Sequence, residues 1–91
     1  MLSQIVEARP LEGYRIYLRF EDGARGVVDL LKTIRLEGVF APLRERSYFE
    51  QVRVHPEMGT ICWPNGADLD PDVLHAAITG ATVEPQIGRR G

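Results

Sequence analysis

Along residues 14–20, YRIYLRF, Tyr14, Ile16, Leu18 and Phe20 alternate with Arg15, Tyr17 and Arg19. A period of two marks a strand that buries one face. Asp22-Gly23 follows, a pair suited to positive φ angles, and predicts a two-residue type I′ turn. That turn sets Leu18 opposite Val27 and Tyr17 opposite Val28 in a hairpin. Upstream, SQIVEAR has β-branched residues but poor alternation. It predicts an edge strand, joined to the hairpin by a loop over residues 10–13.

Asp29 stands where it can cap LLKTIRLEG, with Leu30, Leu31 and Ile34 on one helical face and Gly38 as a left-handed stop. Pro42 suits a first helical turn, and Ser47 with Glu50 has capping-box spacing, so residues 39–52 predict two short helical turns. Val52 and Val54 then alternate with Arg53 and His55, and residues 56–59 return the chain into TICW as a second hairpin. Pro64-Asn65-Gly66 is a turn by its chemistry. Asp70 caps a last helix with Pro71 at its first position, Val73, Leu74, Ala77 and Ile78 as its apolar stripe, and Gly80 at its end. Together these elements predict an α+β fold. It has a small antiparallel sheet of two hairpins plus an N-terminal edge strand, short helices between them and one C-terminal helix. Residues 1–80 are expected to form a single domain, and residues 81–91 a flexible tail.

The chain of 91 residues sits below the usual domain size, so its core is modest and a partner surface is expected to add stability. Hydrophobic residues at 44% and charged residues at 26% fit a globular protein, with no apolar run long enough for a membrane. The start, MLSQIVEARP, has no basic, apolar leader, and the single Cys62 excludes an internal disulfide; both favour a cytoplasmic protein. A net charge of −2 lacks the basic excess on which sequence-independent nucleic-acid binding relies.

The stretch TICWPNGADLDPDVLH concentrates the candidate chemistry. Asp68, Asp70 and Asp72 alternate as calcium-loop ligands do, but Val73 stands where such a loop needs Gly and Thr79 where it needs Glu. Turn formation and helix capping are therefore the expected roles of these acids. His55, His75 and Cys62 lack zinc-site spacing, and no phosphate loop, nucleophile elbow or paired catalytic carboxylates occur. No cofactor, no metal and no enzymatic activity are expected. An enzyme or ligand site would require Cys62, His55 and Asp68 to converge in a pocket. Arg15, Tyr17 and Arg19 form a basic stripe with an interleaved aromatic, a pattern shared by solvated strand faces and by surfaces that bind bases and phosphates. Trp63 is either a core residue or, with Asn65 and Asp68, an anchor for a partner.

The segments FEDGARGVVDL, GVFAPL, SYFEQVRV and TICWPNGADLDPDVLH, read in this order, resemble a small bacterial family, domain of unknown function 2442. The resemblance rests on Phe20, Asp22-Gly23, Val28-Asp29-Leu30, Phe40, Leu43, Phe49, Trp63-Pro64, Gly66, Asp68-Leu69, Pro71-Asp72 and Leu74, and extends to Gly80. It implies a small α+β domain without assigned catalytic residues. It also implies stand-alone proteins, some fused to a helix-turn-helix and some encoded beside another small protein in toxin–antitoxin-like pairs. The residues after Gly80 are too few for a helix-turn-helix, so direct transcriptional control is not expected.

These readings converge on a non-enzymatic protein-interaction module, the accessory or antitoxin-like half of a two-protein bacterial system. Its contacts are expected at Arg15, Tyr17 and Arg19, or at the corner of Trp63, Asn65 and Asp68. A protein partner or self-association is the expected engagement. Nucleic-acid binding through the same stripe is the alternative.

Overall fold

The computed structural model describes residues 4–80. Strands β1 (Ile5–Pro10), β2 (Arg15–Phe20) and β3 (Arg25–Asp29) form one antiparallel sheet in the order β1-β2-β3. A one-turn helix, α1 (Leu30–Thr33), a 3-10 helix over Gly38–Arg44 and a second one-turn helix, α2 (Arg46–Phe49), follow. Strands β4 (Arg53–His55) and β5 (Thr60–Cys62) pair as a separate two-stranded sheet, and α3 (Pro71–Thr79) ends the described chain. The fold is α+β, with the expected strands divided between two sheets. The Ile5 amide joins them by donating to the Gly59 carbonyl at 2.9 Å.

The inward residues of β2, namely Ile16, Leu18 and Phe20, are fully buried and meet Trp63, Phe49 and Leu74 from the elements that follow. Poor alternation in β1 has a physical cause. Ile5 pairs with Phe20 and Glu7 with Arg19, so Val6 is an extra residue bulging from the edge.

The first hairpin differs from the expected one by a single residue. Phe20 N–H donates to Ala24 O at 2.8 Å, closing a three-residue loop in which Gly23 takes φ 94° and the Asp22 carboxylate accepts from Ala24 N–H. Tyr17 thus faces Val27, and Leu18 faces Gly26. A one-residue slip exchanges faces, so Val28 is buried and Val27 is 48% exposed. The cause lies in α3: a Cβ on Gly26 would stand 2.9 Å from Ile78 Cγ2. Only glycine opposite Leu18 leaves room for that helix.

Asp29 and Asp70 cap α1 and α3 as expected, accepting from Leu31 N–H and Asp72 N–H. Four helix details are corrected. Leu31 is 57% exposed because a one-turn helix turns only Leu30 fully inward, and Gly38 opens the 3-10 helix instead of ending α1. Ser47 lies inside α2, and Glu50 accepts from Arg46 Nε at 3.0 Å, so no capping box forms. In α3, Val73 is 50% exposed and Ala77 also faces outward, whereas Leu74 is buried and Ile78 packs on Gly26. His75 replaces Val73 in the packed stripe, its ring edge-on to Phe20 at 4.8 Å and its Nε2 at 2.9 Å from Asp22 Oδ2. The tail expected at residues 81–91 lies outside the described residues. No helix among the described residues is long and apolar enough to cross a membrane.

Candidate protein-interaction surface

The strand period that buries Ile16, Leu18 and Phe20 turns Arg15, Tyr17 and Arg19 to the opposite face. Register extends that face into rows across the sheet. Glu7, Arg19 and Arg25 form one row; Arg9, Tyr17 and Val27 form the next; Arg15 stands beside Asp29. Arg15, Arg19, Arg25 and Val27 are all exposed, with Tyr17 half-buried among them.

Four arginines of the three strands therefore face two carboxylates, Glu7 and Asp29. Glu7 links neighbouring strands, its oxygens 2.8 Å from Arg9 Nε and 3.0 Å from Arg19 Nε. The hydrogen bond from Arg19 holds the Glu7 carboxyl below the ordinary glutamate value; desolvation opposes the shift, and attraction to Arg9 and Arg19 reinforces it. The Arg9 guanidinium stacks 5.2 Å from the Tyr17 ring centroid, and Arg15 Nε donates to the Glu12 carbonyl. Arg25 has no ion pair or hydrogen bond to the described residues. The face is thus a rigid strand platform carrying an aromatic ring, a valine and fork-shaped donors. Such a surface can accept carboxylates or phosphates in bidentate fashion.

The second group of expected contact residues is built differently. Trp63 is 1% exposed, edge-on to Phe40, and donates its indole N–H to Phe49 O at 3.1 Å. Asn65 is bonded on every side: its amide N–H donates to Tyr48 Oη, its Nδ2 to Val39 O and its Oδ1 accepts from Ala67 N–H. Gly66 N–H closes the turn on Trp63 O, and Trp63 N–H returns to Ala67 O. The corner fastens the second hairpin to the 3-10 helix and α2. Trp63 has almost no surface to offer a partner.

Asp68 bridges Cys62 across this hairpin, Asp70 caps α3 and Asp72 lies in its first turn, so the three acids occupy three different local structures. Among the described residues no three His, Cys, Asp or Glu side chains come together as metal ligands. Cys62 is 5% exposed and faces Arg53, whereas His55 is paired with Thr60 and its Nδ1 accepts from the Glu57 and Met58 amides. The only other imidazole, His75, is engaged with Asp22. No Cys62–imidazole pair forms.

One organising side chain escaped the sequence reading. Arg46 donates to the carbonyls of Gly13 and Leu11, stacks its guanidinium 4.9 Å from the Phe49 ring and ties the β1–β2 loop to α2. An exposed arginine beside a Ser–Glu pair looks like any solvated helix residue. Only its distant carbonyl acceptors reveal the role.

Among the described residues, five strands in an α+β arrangement, with one open, arginine-rich sheet face and a closed tryptophan corner, define the class of protein. The chain belongs to the family described as a protein of unknown function, DUF2442, whose profile matches residues 5–80. Comparisons with the curated proteins and with the solved structures give no match.

Proposed function

We propose that this chain is a non-enzymatic protein-interaction module that presents the outer face of β1-β2-β3 to an acidic protein surface. The observation carrying this reading is the row Arg9–Tyr17–Val27, flanked by Arg15, Arg19 and Arg25 and covered by no strand pairing or ring contact from elsewhere in the described chain. Tyrosine and arginine are the residue types in which binding energy concentrates, and a strand platform holds them with little entropy to lose. Within a cytoplasmic two-protein bacterial system, the chain acts as the accessory or antitoxin-like half. The paired gene arrangements implied by the family resemblance support that role.

Four arginines on one face also suit a polyanion, which keeps nucleic acid as the second reading. Against it, Glu7 already neutralises part of the face through Arg9 and Arg19, and the chain as a whole carries a charge of −2. Native co-purification from the host, with wild type beside Tyr17→Ala and Arg19→Glu, tests the reading. A protein retained by wild type should bind roughly thirtyfold more weakly to each variant, consistent with a hot-spot loss of about 2 kcal/mol. Equal retention by all three, or recovery of nucleic acid alone with a steep salt dependence, overturns it.

A further inference from the structure

We propose that the outer edge of β3 pairs antiparallel with β3 of a second copy of this chain about a two-fold axis at Val27. The two sheets then join as β1-β2-β3-β3′-β2′-β1′.

The edge is defined by hydrogen-bond parity. Phe20 N–H donates to Ala24 O and Leu30 N–H to Tyr14 O. Both pairs are in phase with Ile16↔Val28 and Leu18↔Gly26. Those pairs hold β3 to β2, so Arg25, Val27 and Asp29 turn their backbone groups the other way. Among the described residues no backbone or side-chain group bonds to the N–H or C=O of Arg25 or Val27 from that side. An edge of this kind is a template for another strand.

The opposite edge of the same sheet is guarded. β1 carries the Val6 bulge, ends in Pro10 and is fastened at Ile5 to the second hairpin. β3 has none of these protections. Its register with β2 is continuous from Arg25 to Asp29, and its sequence, RGVVD, contains neither proline nor lysine.

The occupant follows from self-complementarity. With Val27 opposite Val27 of the second copy, Arg25 falls opposite Asp29 at both ends, and all three side chains lie on the outer face. Arg25 has no partner among the described residues, while Asp29 uses Oδ1 for its helix cap and keeps its other oxygen for a guanidinium. Shifting the pairing by two residues either way separates these charges. A larger even shift sets arginine against arginine or aspartate against aspartate. The register that joins the half-exposed valines is thus the one that pairs the charges, as an isologous two-fold contact requires. This proposal uses the strand edge, and it stands independently of any heterologous partner on the sheet face.

Sedimentation of the full chain across a wide concentration range, with amide hydrogen exchange at each end of that range, tests it. The expected result is a concentration-dependent dimer in which the Val27 and Asp29 amides slow on association. Val27→Lys sets two ammonium groups across the axis. It should raise the dissociation constant about tenfold or more, since each substitution enters the interface twice. Arg25→Glu, facing Asp29, should raise it a few-fold. Unchanged exchange at the Ile16 and Val28 amides in both variants certifies that the monomer remains folded. A chain that stays monomeric throughout, a dimer that Val27→Lys leaves intact, or a Val27 amide exchanging equally fast in both states overturns the proposal. An edge that slows only when a different protein is added overturns it too.

Discussion

The corner at Trp63 and the outer face at Tyr17 both hold an aromatic residue among polar neighbours, yet they serve opposite ends. At the corner every polar group named has an internal acceptor or donor, and the indole is buried against Phe40 and Phe49. On the face the guanidiniums stack, pair with Glu7 or Glu12 or, at Arg25, meet nothing in the described chain. Aromatic character alone does not mark a binding site. What separates the two regions is whether the neighbouring hydrogen-bonding groups are already satisfied within the molecule.

The largest effect that distinguishes them is on stability. Trp63→Ala empties the centre of a small core and removes the indole donor to Phe49 O, which keeps only the Val52 amide, so a loss of about 3–5 kcal/mol is expected in denaturant unfolding. Tyr17→Ala is expected to remain within about 1 kcal/mol, because it removes part of an exposed stack and no core volume. A Tyr17 truncation as costly as that of Trp63 would make the face structural.

A middle-sized effect probes the inner side of the same sheet. Gly26→Val drives a side chain into Ile78 and should cost about 1–3 kcal/mol, a loss that Ile78→Ala partly relieves in a double-mutant cycle. Additive losses would show that the glycine and the helix do not set the hairpin register together.

The smallest effect is electrostatic. The folded-state pKa of Glu7 lies below its ordinary value of 4.5. Its contribution is therefore present above that value and fades as acid carries the solution down through the folded pKa. Titration of the Glu7 carboxyl by NMR should show the lowered midpoint, and Arg19→Gln should move it upward. A midpoint unchanged by Arg19→Gln would break the proposed link between the strands.

The sequence revealed those features whose cause lies within a few residues. Asp29 and Asp70 cap helices because the acceptor and the amide it serves are neighbours. The alternation of β2 and the second hairpin were equally visible, and so was the division of polar from buried residues that puts Arg15, Tyr17 and Arg19 outward. Features fixed by distant contacts were not visible. Asp22-Gly23 suits a two-residue turn by local preference, but Ile78 admits only the register that places Gly26 beneath it. Ser47 and Glu50 have capping-box spacing, but Arg46 holds the glutamate while its guanidinium is anchored on Leu11 and Gly13. Asn65 read as a turn residue, and only Tyr48 and Val39 show it to be a clamp. In these three places a long-range packing or hydrogen-bond constraint overruled the local preference.

Site-specific photocrosslinking compares the two regions in a single experiment: a benzophenone side chain placed at Tyr17 in one variant and at Pro64 in another, each irradiated in the native host. A discrete adduct to another protein is expected from position 17 and none from position 64. Adducts from position 64 alone, or from neither position, would contradict the assignment of the open sheet face as the surface through which this domain works.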